Sequence, residues 1–144
     1  MAYVPLHCSF PPSPIAPSKA RRATVAWLSD RGVPASAVDA ALIVVSELVA
    51  NGVLHGGDDD VGLRLDIEGD EVCIEVTTAP AAPGAVPVRR EPHEAGRGLT
   101  MVAACCDGVD VALDDVGNRR VSCRIAMRGG VQHQRVATGR ARRL

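Results

Sequence analysis

Aromatic residues are almost absent from this chain of 144 residues: Tyr3, Phe10 and Trp27 are the only ones. Apolar residues nevertheless make up 47% of the sequence. The core must therefore be built from Ala, Val, Leu and Ile. The chain is long enough for one domain with a substantial core, and it has no internal repeats that would indicate a solenoid.

An excess of one charge sign is also missing, since 16 basic residues stand against 17 acidic ones. The balance gives no overall basic footprint, which disfavours direct nucleic-acid binding. No basic segment precedes an apolar one at the N-terminus, and no stretch looks close to the ~20 apolar residues that span a bilayer. The sequence therefore predicts a cytoplasmic protein without membrane contact.

The cysteines lack the spacing of a metal site or of a disulfide framework. There are five of them, an odd number, and none forms a CxxC or Cys/His pattern. Burial as small hydrophobic residues is the favoured interpretation. Arginines gather at the C-terminal end, so we predict a domain over residues 1–128 and a basic, disordered tail over 129–144.

The periodicity of the apolar residues predicts an α+β domain, an antiparallel sheet with helices packed on one face. Gly32 suits the end of the first helix, Ser36 suits the cap of the second, and Gly56 suits its end. The predicted elements are an edge strand within 7–14, helices at 18–32 and 33–57, a hairpin at 61–77, a helix from 96, and strands at 109–113 and 120–127.

A line of polar residues runs along the second predicted helix, which is otherwise apolar nearly all round. Glu47, Asn51 and His55 recur every four residues and fall within an arc of about 80°. A solvent-facing stripe is the alternative, but that stripe would be broader and richer in Lys and Arg. Glu47 is a candidate general base and Asn51 a candidate Mg²⁺ ligand, whereas His55 either joins the site or caps the helix.

A proline-rich loop over residues 79–95 is longer than the ~12 to 15 residues usual for a loop without secondary structure, which is typical of lids and binding loops. It leads into Gly96-Arg97-Gly98-Leu99 at a predicted helix start. Glycines there let backbone N–H groups approach an anion. The motif is weak alone, but with the polar line it predicts a nucleotide phosphate site. Arg89, Arg90 and Arg97 either contact phosphates or are simply solvated.

Two motifs resemble the GHKL ATP-binding superfamily, which includes gyrase and histidine kinases. SELVANGVLHG, residues 46–56, resembles its N box, and GRGL, residues 96–99, resembles its second glycine box. The chain is most similar to single-domain bacterial anti-sigma-factor serine/threonine kinases, over roughly residues 7–127. The resemblance implies the Bergerat fold, a mostly antiparallel mixed sheet with ATP held between helices and a flexible lid.

The resemblance also implies roles for single residues. Glu47 would activate the attacking hydroxyl, Asn51 would ligate Mg²⁺, and His55 would lie near the phosphate end of the pocket. The cofactor-binding segment would be the glycine box, in which backbone amides at Gly96 and Gly98 reach the phosphates beside Arg97 and Leu99.

The adenine end departs from the family pattern. In the family an aspartate after the second hairpin strand accepts a hydrogen bond from the adenine amino group. By position it falls at Thr77 or Thr78, and Thr78 is the predicted substitute because its hydroxyl accepts a hydrogen bond. Loss of a charge-assisted hydrogen bond in a buried pocket weakens affinity about ten- to a hundredfold.

Two functions remain open at this point. The first is an ATP-dependent kinase that binds a sigma factor and phosphorylates an antagonist protein, with homodimer formation implied by the resemblance. The second is a degenerate regulatory module of the same fold that acts by protein contact with weak or no ATP binding. A stand-alone histidine-kinase fragment is disfavoured, since no phospho-acceptor helix precedes the domain.

Overall fold

A computed structural model of the chain describes residues 3–80 and 101–127. Its elements are β1 (Leu6–Phe10), α1 (Ala16–Asp30), α2 (Ala35–His55), β2 (Val61–Glu68), β3 (Glu71–Thr78), β4 (Val109–Leu113) and β5 (Arg119–Ala126). Residues 101–105 are also helical. The predicted loop from residue 81, the glycine box, the domain boundary at 128 and the tail over 129–144 lie outside the described residues.

The five described strands form one sheet in the order β1-β2-β3-β5-β4. All four pairings among them are antiparallel. α2 packs on β2, β3 and β5, and α1 packs on α2 and β1. The α+β prediction, an antiparallel sheet with helices packed on it, is therefore confirmed, and so is the prediction of a short strand at the sheet edge before the prolines.

The β2–β3 hairpin shows why the sheet has one buried face. Along β2, Val61, Leu63, Leu65 and Ile67 are buried and the residues between them are more exposed. β3 continues the pattern with Val72, Ile74 and Val76. Because successive side chains in a strand point to opposite faces, this alternation places an aliphatic layer under the helices.

α2 is the central helix of the core, and its start differs from the prediction. The helix begins at Ala35 with Pro34 as its N-cap and without a side-chain capping hydrogen bond. Ser36 therefore lies inside the first turn, and the prediction that it caps the helix is wrong. Pro34 has the extended backbone that is usual at an N-cap (φ −57°, ψ 146°), and its ring holds φ close to this value.

The apolar length of α2 corrects a second expectation. By length and composition the helix could cross a bilayer, so the prediction that no stretch approaches this size is wrong. Such helices are weak evidence for a membrane span, since a buried core helix has the same composition. In α2, 44% of the most apolar 18-residue stretch is buried inside the protein.

Gly32 ends α1 as predicted. Its φ is +70°. The Gly32 amide donates a hydrogen bond to the Ser29 carbonyl, and the Val33 amide donates one to the Leu28 carbonyl, each at 3.1 Å. This is the Schellman arrangement, in which the residue after the helix adopts the left-handed conformation that glycine favours. Val33 and Leu28 are both buried, which supplies the apolar contact that accompanies the motif.

Gly32→Ala is expected to destabilise the domain by about 1–2 kcal/mol, the strain of a left-handed non-glycine residue. No heavy atom lies within 4 Å of the position of the added Cβ, so a steric clash contributes nothing. Chemical denaturation measures the loss. Gly108→Ala is the control, because Gly108 has equally open surroundings and lacks a positive φ. Equal stability of the two variants would contradict the strain argument.

The cysteines confirm their predicted role only in part. Cys106 and Cys123 are buried, whereas the others are half-buried, and all five are free thiols. Burial, followed by a hydrogen bond to Glu68, raises the pKa of Cys73 to about 11. The hydrogen bond with Cys106, together with burial, raises the pKa of Cys123. These two thiols therefore stay protonated at neutral pH.

Candidate functional site

A cavity of about 450 Å³ opens between the C-terminal half of α2 and the ends of three strands. Its volume lies within the range of ligand pockets, roughly 300–1,000 Å³. The described residues that line it are Leu48, Asn51, Gly52, His55, Val76, Thr78, Ala79, Pro80, Val109, Val111, Leu113, Gly117, Arg119 and Val121.

Most of the cavity wall is aliphatic. Val76 and Val109 are buried at its inner part, whereas Val111 and Leu113 on the edge strand β4 are 42% and 72% exposed. An aliphatic wall with an exposed apolar rim suits the flat apolar faces of a heteroaromatic ring.

Four polar side chains face this wall. α2 contributes Asn51 and His55, and the strands contribute Thr78 and Arg119. Thr78 and Arg119 are cross-strand partners in the β3–β5 pairing, so their side chains project from the same face of the sheet. No carboxylate lines the cavity among the described residues. The described wall therefore offers hydrogen-bond donors and neutral acceptors.

The end of β3 lies unusually close to α2. A Cβ added to Gly52 would lie 3.0 Å from the Thr78 Oγ1, and one added to Gly56 would overlap the Thr78 Cγ2 methyl. The Gly57 amide also donates to the Ala79 carbonyl at 3.2 Å. The two glycines of SELVANGVLHG thus allow the contact that holds Thr78 against the helix.

Comparison with known proteins identifies the family. A family model described as the histidine kinase-like ATPase domain matches residues 10–122. The chain belongs to the histidine kinase-like ATPase family. The matched range extends from the end of β1 into β5 and includes every described cavity residue. A comparison with curated proteins finds no match.

A solved structure confirms the fold of this ATPase domain. The chain is similar to the crystal structure of the RsbU and RsbW domains of Rv1364c from Mycobacterium tuberculosis, with a TM-score of 0.65 and 21% identity. The alignment covers 86% of this chain and 32% of that one. The Bergerat (GHKL) fold predicted from the sequence is therefore confirmed.

The ATPase domain brings together three of the predicted site residues: Asn51, His55 and Thr78 line the cavity. Glu47 is half-buried one helical turn before Asn51 and does not line it. Its role as base stays a prediction. The glycine box, Gly96, Arg97, Gly98 and Leu99, and the arginines Arg89 and Arg90 lie outside the described residues.

Arg119 is the polar cavity residue that the sequence analysis did not predict. It begins β5 directly after the Gly117 turn and pairs with Leu113 of β4 as well as with Thr78 of β3. The sequence did contain a signal for this position, because the two residues that pair across a hairpin turn, here Leu113 and Arg119, lie on the same face of the sheet. The pairing of β3 with β5, which places Arg119 beside Thr78, joins strands far apart in the sequence.

The described residues fit a Mg²⁺ ion that arrives with a nucleotide better than a metal site made by protein alone. Among them there is no group of three or more His, Cys, Asp or Glu residues that could hold a metal. Asn51 supplies an amide oxygen at the cavity, and Glu47 is one turn away. Mg²⁺ in nucleotide sites uses one or two protein ligands and completes its shell with phosphates and water.

Proposed function

We propose that this chain is an ATP-binding serine/threonine protein kinase of the anti-sigma-factor type, which regulates transcription by partner switching. In this scheme it binds a sigma factor and phosphorylates an antagonist protein, acting as a cytoplasmic homodimer. The observation that supports it best is the convergence of Asn51, His55 and Thr78 on one cavity of a histidine kinase-like ATPase domain. The sequence resemblance and the fold shared with an RsbW-containing structure point the same way.

The aliphatic wall of the cavity, Asn51 and Glu47 each have a task in this proposal. The aliphatic wall around Val76 and Val121 holds the base and excludes water from it. Asn51 offers its amide oxygen to Mg²⁺, which in phosphoryl transfer neutralises charge on the phosphates. Glu47 accepts the proton of the attacking hydroxyl.

A degenerate regulatory module of the same fold is the second candidate. The specific observation that favours it is the absence of a carboxylate among the described cavity residues, where Thr78 presents a hydroxyl. A hydroxyl forms a weaker hydrogen bond than a carboxylate, since it carries no charge. This candidate predicts sigma-factor binding that does not depend on nucleotide.

Calorimetric titration with ATP, in Mg²⁺ and again in EDTA, tests the proposed function. We expect saturable binding that weakens in EDTA, and weaker Mg²⁺-dependent binding in Asn51→Ala. Transfer of labelled phosphate from ATP to a candidate antagonist protein then tests the kinase step. No heat at millimolar ATP, combined with retained sigma-factor binding, would favour the regulatory module.

A further inference from the structure

The hydrogen-bonding character of the cavity bears on which nucleobase it accepts. Thr78 is the only hydroxyl among the described residues that line it, and Arg119 is its cross-strand neighbour. A hydroxyl can donate or accept a hydrogen bond, a guanidinium only donates, and an ionised carboxylate only accepts. The described strand wall of the cavity therefore includes no side chain that only accepts hydrogen bonds.

The position of the Thr78 hydroxyl makes it available to a ligand. Its Oγ1 lies on the Gly52 side and its methyl on the Gly56 side, so α2 restricts the rotation of the side chain. Within residues 3–80 and 101–127, no hydrogen bond engages this hydroxyl. An oriented hydroxyl without a partner in the described protein is a group that a ligand can satisfy.

Apolar side chains surround that hydroxyl on the same face of the sheet. Val76 precedes Thr78 by two residues on β3, and Val121 is the cross-strand partner of Val76. All three line the cavity. A base held against Val76 and Val121 would present its polar edge to Thr78, since the remaining neighbours on these two strands are aliphatic apart from Arg119.

Purine bases differ in the hydrogen-bonding groups that they carry at position 6 and at N1. A 6-aminopurine carries a donor at position 6 and an acceptor at N1, whereas a 6-oxopurine carries an acceptor and a donor there. A carboxylate and the oxo group of the base would both be acceptors, so no hydrogen bond could form between them. A site with such a mismatch strongly rejects the 6-oxopurine. The Thr78 hydroxyl rotates its proton to match either base, and the Arg119 guanidinium can donate to the oxo group.

We propose that the cavity binds 6-aminopurine and 6-oxopurine nucleoside triphosphates with similar affinity, and that Thr78 is the residue that permits this. The inference rests on the nucleotide-binding part of the proposed function. It assigns the substrate class as purine nucleoside triphosphates in general, with base selectivity determined by one side chain at the end of β3.

Calorimetry with Mg-ATP and Mg-ITP tests it, because these ligands have the same phosphates and ribose and differ only at the edge in question. In the wild-type protein we expect the two Kd values to agree within about threefold. Thr78→Asp should favour ATP over ITP by about tenfold or more. Thr78→Ser keeps the hydroxyl and should leave the ratio unchanged. Thr77→Val is the matched control, since Thr77 alternates to the other face of β3.

The outcomes separate the inference from the proposed function. If wild-type protein binds ATP but ITP at least about thirtyfold more weakly, the inference fails and ATP binding stands. If folded Thr78→Asp binds ATP with an unchanged ATP-to-ITP ratio, Thr78 is not the selecting residue and the inference fails. If neither nucleotide binds to the wild-type protein, the ATP-dependent function fails and the inference fails with it. Circular dichroism of each variant confirms that it is folded.

Discussion

In the proposed kinase, Glu47→Gln is expected to reduce phosphoryl transfer to the antagonist protein by about a hundredfold or more, the usual contribution of a general base. ATP affinity should change by less than about threefold, since uniform binding and catalysis are separable effects. The structural reason is position: Glu47 lies one turn before Asn51 on α2 but does not line the cavity. Glutamine keeps the shape and removes the proton acceptor.

The measurement compares single-turnover transfer of labelled phosphate with calorimetric ATP affinity. Asp39→Asn is the matched control, because Asp39 is an exposed carboxylate near the other end of the same helix. It should leave both quantities unchanged. Equal losses of affinity and transfer in Glu47→Gln would instead place Glu47 in nucleotide binding and contradict its assignment as a base.

Gly56→Ala is expected to destabilise the domain by about 1–3 kcal/mol, the range for overpacking a well-packed site. The added Cβ would overlap the Thr78 Cγ2 methyl and lie 2.6 Å from the Gly52 carbonyl oxygen. The end of β3 and the end of α2 must then move apart. Because Thr78 and Gly52 line the cavity, nucleotide affinity should fall together with stability.

Denaturation and ATP titration of the same samples measure both effects. A Thr78→Ser substitution in the Gly56→Ala background removes the overlapping methyl and should restore part of the stability. Gly108→Ala adds a Cβ where no heavy atom lies within 4 Å and should change neither quantity. Full stability in Gly56→Ala would show that this close approach is not required.

Much of the secondary structure was predictable because its signals are local. The alternation of Val61, Leu63 and Leu65 predicts a half-buried strand by itself, and the β2–β3 hairpin has the predicted position. Gly32 likewise marks a helix end through its own backbone. The prediction that Ser36 caps the second helix was wrong because the helix begins at Ala35, with Pro34 as its N-cap. The preference of serine for caps does not by itself determine where a helix starts.

The candidate site was predictable from the sequence only in part. The spacing of Glu47, Asn51 and His55 predicts a shared helix face, which needs only 3.6 residues per turn. Which of these residues lines the cavity depends on how α2 packs on β3. In the structure, Asn51 and His55 line the cavity and Glu47 does not. Helix geometry alone contains no information about that packing.

The sequence by itself determined the strands, the helices, the polar line and the family, because each depends on residues close together or on a recognisable motif. Only the tertiary structure decided the wall of the cavity. Arg119 stands beside Thr78 because β5 pairs with β3, and Thr78 meets Gly52 and Gly56 because β3 packs on α2. These contacts join distant segments of the chain, so their chemistry arises only when the sheet and the helix are assembled.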